Sequence, residues 1–289
     1  MNSPNIVCPP EDSLLNSFRE RSVVVRVKDP GRVTRAAAQV RESGNRLLGV
    51  IIDSALPLDQ MEFGDDLAGI PLAVMAPAWG KFRHLTRRLK QLRELALRIY
   101  LPGNNPDSLV GLRILSSVGI PACTVLGDGP HDWEALADLM TFAVLERTPH
   151  AAIEPFAFIA SHDDPLSSCE WGGIYFDDPR NFLHLDARGR VALSPSELRD
   201  KRFIAPSISE IGVAAEYPAI RERLQAWRRF FADNHPCASC RGWRICRGRF
   251  ARELPQNPGC AGFFEEMLDV VRQYQARRDQ AHRGGMWPR

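Results

Sequence analysis

Between about residues 22 and 159 the chain alternates short apolar runs with longer amphipathic stretches, which restricts it to few fold classes. Six runs are rich in Val, Ile and Leu on consecutive positions, as expected for strands that are covered on both faces. They lie at 23–27, 47–52, 71–75, 97–101, 122–126 and 152–158. Such runs predict the parallel sheet of an α/β protein, as an open doubly wound sheet or a partial barrel. Periodicity does not choose between these two.

Four stretches between the runs carry apolar residues at helical spacing and predict helices. They lie at 31–42, 82–95, 106–116 and 132–145. Asp107 or Ser108 is expected to cap the third of these helices, because short polar side chains accept hydrogen bonds from the first turn.

The pattern of apolar and polar residues changes after the sixth apolar run. Residues 182–193 predict two short strands joined by a tight turn, with Gly189 supplying a positive φ. Two further helices are expected at 219–233 and 262–278, and the tail at 279–289 is expected to be flexible.

Composition and charge are ordinary for a globular protein. The 289 residues suggest one large domain or two modest ones, and 44% of them are hydrophobic and 25% charged. The net charge of +2 favours no acidic partner, and five arginines at 241–252 are interpreted as a solvated surface and not as a nucleic-acid footprint. No apolar run reaches the ~20 residues needed to span a bilayer, and no secretory signal is recognised. A cytoplasmic protein without membrane contact is therefore expected.

Four of the seven cysteines stand close together near the C-terminus, in the spacing Cys-x2-Cys-x5-Cys-x13-Cys. These four are Cys237, Cys240, Cys246 and Cys260. In a reducing compartment such a cluster indicates a metal site and not a disulfide framework. Thiolates favour zinc and iron–sulfur clusters, and the spacing alone leaves both open.

The residues between these cysteines suit a metal centre. Arg241, Arg244, Arg247 and Arg249 are expected to place positive charge beside an anionic thiolate site. Nearby glycines allow close approach of backbone N–H groups, which can donate to sulfur and tune a redox potential. Trp243 is expected to exclude water from one side.

The C-terminal half resembles the SPASM domain, the auxiliary-cluster domain appended to many radical SAM peptide-modifying enzymes. The resemblance runs from Cys169 to Cys260 and includes the hairpin at 184–191, the segment 208–212, Trp227 and the Cys-x2-Cys-x5-Cys run. The N-terminal half is similar only in architecture to the six-unit partial barrel of radical SAM enzymes. The resemblance implies an N-terminal extension at 1–21, a partial (β/α)6 barrel at 22–165 and a small α+β SPASM-like metal-binding domain at 166–278.

A full SPASM domain holds two 4Fe-4S clusters, and the resemblance implies that this chain holds one. All four positions of one cluster are cysteine here, namely Cys237, Cys240, Cys246 and Cys260. Of the other set only Cys169 matches, because Ser194 and Phe250 stand where cysteines are expected.

The largest departure from the family is in the loop after the first predicted strand. Radical SAM enzymes carry Cys-x3-Cys-x2-Cys there, whereas residues 28–32 contain no cysteine, and Cys8 and Cys123 stand alone. S-adenosylmethionine is therefore not expected as a cofactor, and radical SAM-type catalysis is not predicted.

Three functional hypotheses follow from these observations. The first is an iron–sulfur protein that acts as a redox or binding accessory, with a peptide substrate or a maturation enzyme as its partner. The second is an enzyme that uses the barrel cavity through His150 and Glu154, which share one face if 152–158 and the residues before it form a strand. The third is a binding module stapled by zinc.

Overall fold

The computed structural model describes residues 3–127, 129–164, 167–251 and 259–284. The fold is mixed α/β, with a nine-stranded and mostly parallel sheet. The chain divides into two compact units, the first built from Met1–Tyr100 and Gly172–Ala226, the second from Leu101–Trp171 and Trp227–Arg289. The units are interleaved along the chain, whereas the sequence predicts consecutive domains.

The strands are short, and most are rich in Val, Ile and Leu. They are β1 (Asn5–Cys8), β2 (Ser22–Val27), β3 (Arg46–Asp53), β4 (Leu72–Met75), β5 (Leu97–Pro102), β6 (Ala122–Val125), β7 (Ile153–Glu154), β8 (Phe182–Leu185) and β9 (Val191–Ala192).

The helices range from a single turn to seven turns. They are α1 (Asp12–Leu15), α2 (Val33–Glu42), α3 (Phe82–Leu85), α4 (Leu89–Glu94), α5 (Pro106–Ser117), α6 (Trp133–Leu145), α7 (Phe156–His162), α8 (Pro195–Arg199), α9 (Pro218–Gln225), α10 (Arg228–Ala232), α11 (Trp243–Cys246) and α12 (Gly259–Gly284).

In the first unit, β2, β3, β4 and the start of β5 lie side by side in chain order and pair in parallel. Their crossovers therefore step in one direction, without the reversal that defines a doubly wound sheet. The apolar residues of alternate positions, such as Val25, Val50 and Val74, are fully buried. The opposite face carries Arg26 in register with Ile51. The partial barrel itself stays a prediction.

The strand β1 lies within residues 1–21, which the resemblance implies to be an N-terminal extension. It pairs in parallel with β2 on one side, with Ile6 opposite Val23, and with β8 on the other, with Asn5 opposite Phe182. Four residues are too short a run to show a strand period, so the pairing is visible only in three dimensions.

The first five predicted strands are confirmed to within two residues. The sixth is shorter than the expected 152–158, because β7 ends at Glu154 and helix α7 begins at Phe156. The helix predicted at 82–95 is divided into α3 and α4 by a 3-10 turn at Thr86–Arg88. At α5 the predicted cap was wrong, since Asn105 accepts the Asp107 N–H at 3.0 Å and Pro106 takes the first helical position.

The hairpin at 182–193 is confirmed as the antiparallel pair of β8 and β9, and Gly189 has a φ of 81°. The helix expected at 219–233 is two helices, α9 and α10, separated by Ala226 and Trp227. The last helix, α12, continues through Gly284, so part of the expected flexible tail is helical. Residues 285–289 lie outside the described chain.

The second unit contains a parallel pair, β6 and β7, and a core of helices. Helix α12 packs against α6 and α7. Trp133 of α6 lies 5.3 Å from Phe263 of α12 between ring centroids, and Phe156 of α7 lies 6.3 Å from the same ring. This packing fixes the first turn of α12, which carries Cys260.

Candidate metal centre

Four cysteines of the second unit line one small cavity. Cys237, Cys240, Cys246 and Cys260 surround a volume of about 90 Å³. A single water-sized sphere needs only ~10–15 Å³, so the thiols enclose room for several atoms. Among the described residues, no three His, Cys, Asp or Glu side chains converge tightly enough to hold a single metal ion. The thiols therefore border a space and do not meet at a point.

The first two cysteines are held by a tight turn. The 3-10 turn Pro236–Ser239 begins with proline, and His235 Nδ1 accepts the Cys237 N–H at 3.2 Å. The Cys240 N–H in turn donates to the Cys237 carbonyl, also at 3.2 Å. Because the turn closes on itself, both thiols are presented to the same cavity, as the x2 spacing predicts.

Cys246 ends helix α11 and is followed by two residues in the left-handed region. Arg247 has a φ of 54° and Gly248 a φ of 74°. The Arg249 N–H donates to the Cys246 carbonyl at 3.0 Å, and the backbone N–H groups of residues 248–250 lie beside the Cys246 thiol. Consecutive N–H groups of this kind form a nest for a negative charge. Burial raises the pKa of the Cys246 thiol, and the three N–H groups act in the opposite direction.

The four thiols are close enough to influence one another. Burial raises the pKa of Cys237 to about 11, and the charges of Cys246, Cys260 and Cys240 contribute in the same direction. Without a cation, burial therefore favours the neutral form of the Cys237 and Cys246 thiols. A bound metal reverses this preference, since a coordinating thiol is deprotonated. No disulfide joins any of the seven cysteines, all of which lie in the described residues.

Aromatic side chains form one wall of the cavity. Trp243 lines it and packs against Phe230 and Phe231, with ring centroids 5.4 and 5.2 Å away. Phe250 and Phe264 also line it, and their rings stack at 5.8 Å. These rings cover one side of the cavity that the thiols line.

Three of the neighbouring arginines, which were expected to place positive charge beside the thiols, are paired with other groups. Arg244 pairs with buried Asp163 at 2.7 Å, and Arg247 pairs with Glu170 at 2.5 Å. Arg249 lies over the Trp171 ring at 4.5 Å. The charge of these three cations is therefore shared with two carboxylates and a ring.

The remaining cysteines lie apart from the cavity. Cys169 is buried, its N–H donates to the Arg244 carbonyl at 3.0 Å, and burial raises its pKa to about 11. Cys8 is also buried, and its pKa is raised to about 12 for the same reason. Ser194, which stands at a family cysteine position, caps helix α8 by accepting the Glu197 N–H at 3.2 Å. The hydroxyl therefore has a structural use in this chain.

His150 and Glu154 are placed in different surroundings within the second unit. His150 precedes β7, stacks on Phe142 at 4.9 Å and has its Nδ1 3.2 Å from the Ser116 hydroxyl. Glu154 is buried and accepts the Phe158 N–H at 2.8 Å, which caps helix α7. None of these contacts joins the two side chains, and each has a structural partner. Their use in acid–base chemistry stays a prediction.

Two contributors to the site were not singled out from the sequence. His235 fixes the turn that carries Cys237. In the sequence, this role is indicated only by the position of the histidine directly before Pro236 and Cys237. Phe250 stands where the family has a cysteine, and in the structure its buried side chain forms part of the cavity wall.

No helix in the described residues has the length and apolar character that crossing a membrane requires.

Comparison with known proteins gives no family assignment. No family model matches the chain. No curated protein matches it either. Among solved structures, it is similar to Streptococcus suis SuiB bound to S-adenosylmethionine, with 13% identity and a TM-score of 0.43 over 89% of this chain and 75% of that one. A second SuiB structure gives 12% identity and a TM-score of 0.41 over the same shares. Similarity at this level assigns neither a fold family nor a function to the chain.

Proposed function

We propose that this chain is an iron–sulfur protein that binds one 4Fe-4S cluster through Cys237, Cys240, Cys246 and Cys260. The observation that carries the proposal is the convergence of these four thiols on a single cavity with room for several atoms. Four thiolates around one zinc ion, at about 2.3 Å from the metal, leave no such space. Thiolates are also the ligands that iron–sulfur clusters use.

The chain contributes three things to such a site. The four cysteines bind, and the backbone N–H groups of residues 248–250 stabilise negative charge on Cys246. The rings of Trp243, Phe250 and Phe264 exclude water. When bound, a cluster of this kind supplies one-electron transfer at a potential that hydrogen bonds to sulfur and burial adjust.

The proposed role is a redox or binding accessory and does not include cleavage of S-adenosylmethionine. The loop after β2 lacks cysteine, and Asp29 in that loop accepts the Gly31 N–H at 2.9 Å, which closes a 3-10 turn. By analogy with the SPASM resemblance, the partner we propose is a peptide substrate or the enzyme that matures it.

The test is anaerobic purification followed by measurement of iron, sulfide and zinc per chain, together with an absorption spectrum. We expect about four irons and four sulfides per chain, as one cluster requires. Cys260→Ser should abolish most of the bound iron. Cys169→Ala is the matched control, because it removes a buried thiol outside the cavity and should leave the iron content unchanged.

Two results would contradict the proposal. One zinc per chain without iron would make the centre a structural staple. Equal loss of iron from the Cys169 and Cys260 variants would show that the cavity is not the binding site.

A further inference from the structure

The first unit contains a larger cavity at the carboxyl ends of parallel strands. Its volume is about 430 Å³, within the range of small-molecule sites. It is lined by the last residues of four strands, Cys8 of β1, Val27 of β2, Asp53 of β3 and Leu185 of β8. In parallel sheets this edge is where ligands bind.

The walls of this cavity carry an excess of positive charge. Six lining residues are basic and three are acidic. The basic ones are Arg26, Lys28, Arg32, Arg190, Arg199 and Lys201, and the acidic ones are Glu11, Asp53 and Asp186. Asp186 is already paired with Arg190 at 2.7 Å. The other five cations therefore face only two remaining carboxylates.

Arg26 lies deepest in the sheet among these cations. Its Nε is buried and, among the described residues, donates to no acceptor. Burial lowers the pKa of Arg26, and the Asp53 carboxylate opposes that shift. A buried guanidinium N–H without an acceptor is a costly arrangement that an anionic oxygen relieves.

Apolar groups complete the wall. Pro9, Val27, Leu198 and Phe203 line the same cavity. The Arg190 guanidinium lies 3.9 Å from the centroid of the Phe203 ring, which fixes that ring against the basic side of the site. The cavity thus combines an apolar surface with unneutralised cations.

The geometry points to a binding site for a small molecule that joins an oxyanion, phosphate or carboxylate, to an apolar body. The oxyanion is held by Arg26, Arg199 and Lys201, and the apolar body contacts Phe203. Small-molecule sites typically combine an apolar surface with a few polar groups that orient the ligand. This inference concerns the first unit alone and does not depend on the proposed cluster.

The experiment is isothermal titration calorimetry of the full chain with four probes, namely phenyl phosphate, 3-phenylpropionate, inorganic phosphate and phenol. We expect saturable binding of at least one of the two amphipathic anions, and at least tenfold weaker binding of inorganic phosphate and phenol. The tighter of the two anions identifies the oxyanion. Binding should weaken with added salt, since exposed charges are screened.

The variant that tests the site is Arg199→Gln with Lys201→Gln, two exposed residues whose loss should not disturb the core. We expect affinity to fall about tenfold or more, as for a lost charge-assisted hydrogen bond. Arg41→Gln with Arg46→Gln is the matched control, because it removes the same charge from residues outside the cavity. Arg26→Gln should weaken binding further if the variant folds.

Three outcomes would overturn the inference. The first is the absence of saturable binding of either amphipathic anion. The second is an equal loss of affinity in the double variant and its control, which would show that binding depends only on the net charge of the protein. The third is equal affinity for inorganic phosphate and phenyl phosphate, which would remove the role of the apolar wall.

Discussion

The sheet of the first unit and the cysteine region of the second are stabilised in different ways. In the sheet, extended strands such as β2 and β3 bury Val and Ile side chains fully and share ladders of backbone hydrogen bonds. In the cysteine region, α10 has five residues and α11 has four, and aromatic rings and thiols occupy the space between them. Helices this short are unstable alone. The comparison indicates that the sheet folds by apolar burial, and we expect the cysteine region to depend on the cluster that we propose.

The largest expected effect is from Cys246→Ser. Because metal binding is coupled to folding, we expect Cys246→Ser to lose most of the bound iron. We also expect it to destabilise the cysteine region by more than the about 2–5 kcal/mol that a single core substitution costs. Hydrogen exchange should become faster in α11 and at the start of α12, while β2 and β3 keep their protection. Uniform protection across both regions, with the iron gone, would show that the cysteine region is stable without its ligand.

The second prediction concerns the sheet. Ile52 is fully buried in β3, and Ile52→Ala should lower the free energy of unfolding by about 2–5 kcal/mol without changing metal content. Chemical denaturation followed by circular dichroism measures this. Leu56, 48% exposed, provides the control, since Leu56→Ala should change stability by less than about 0.5 kcal/mol. A loss of iron in Ile52→Ala would contradict the independence of the two regions.

A third, intermediate effect is expected at the turn after Cys246. At Gly248 a Cβ would lie 2.6 Å from the Phe230 ring, and the backbone has a φ of 74°. We expect Gly248→Ala to cost about 1–3 kcal/mol, because it adds a steric clash to an unfavourable backbone conformation.

The matched control for this prediction is Gly262→Ala in α12. A Cβ at Gly262 meets nothing within 4 Å, and the change should be neutral or slightly stabilising in a helix. Thermal melts of the two variants, with iron content, measure the difference. Equal effects would mean that the left-handed turn is not needed at the site.

The smallest expected effect is a pH dependence in the sheet. His184 is buried in β8, and burial, with a contribution from nearby Arg26, lowers its pKa to about 3. The unfolded chain, with an ordinary pKa near 6.5, therefore binds a proton that the folded chain does not. Stability is therefore greatest above about pH 6.5 and falls as the pH is lowered from 6.5 toward 3.

His184→Gln tests this linkage, because glutamine does not titrate. Denaturation midpoints at pH 7 and pH 5.5 should differ less in the variant than in the natural chain. Identical pH slopes would assign the acid sensitivity to other groups.

Much of the sheet could be predicted from the sequence, because consecutive Val, Ile and Leu residues on buried strands leave a local signal. β1 was not predicted because Asn5–Cys8 is only four residues long. Its pairing with β2 and β8 is what identifies it as a strand. The α5 cap was misplaced by two or three residues because Asn, Asp and Ser there all suit the position.

The cysteine spacing predicted which residues form the candidate site, since cysteines that are close in sequence remain close in space. The surroundings were not predictable from local spacing. Arg244 and Arg247 pair with Asp163 and Glu170, which are about 80 residues away along the chain. Contacts of this kind depend on tertiary packing, which sequence periodicity does not encode.

The position of β1 between β2 and β8 has a consequence for synthesis of the protein. β1 is made well before β8, because its partner Phe182 follows Asn5 by more than 170 residues. Until then one edge of β1 presents unpaired N–H and C=O groups, the kind of edge that promotes association with other chains. A nascent chain halted before residue 185 therefore carries an open sheet edge. Folding of the first unit is therefore completed only after the 101–171 segment, which belongs to the second unit, has been made.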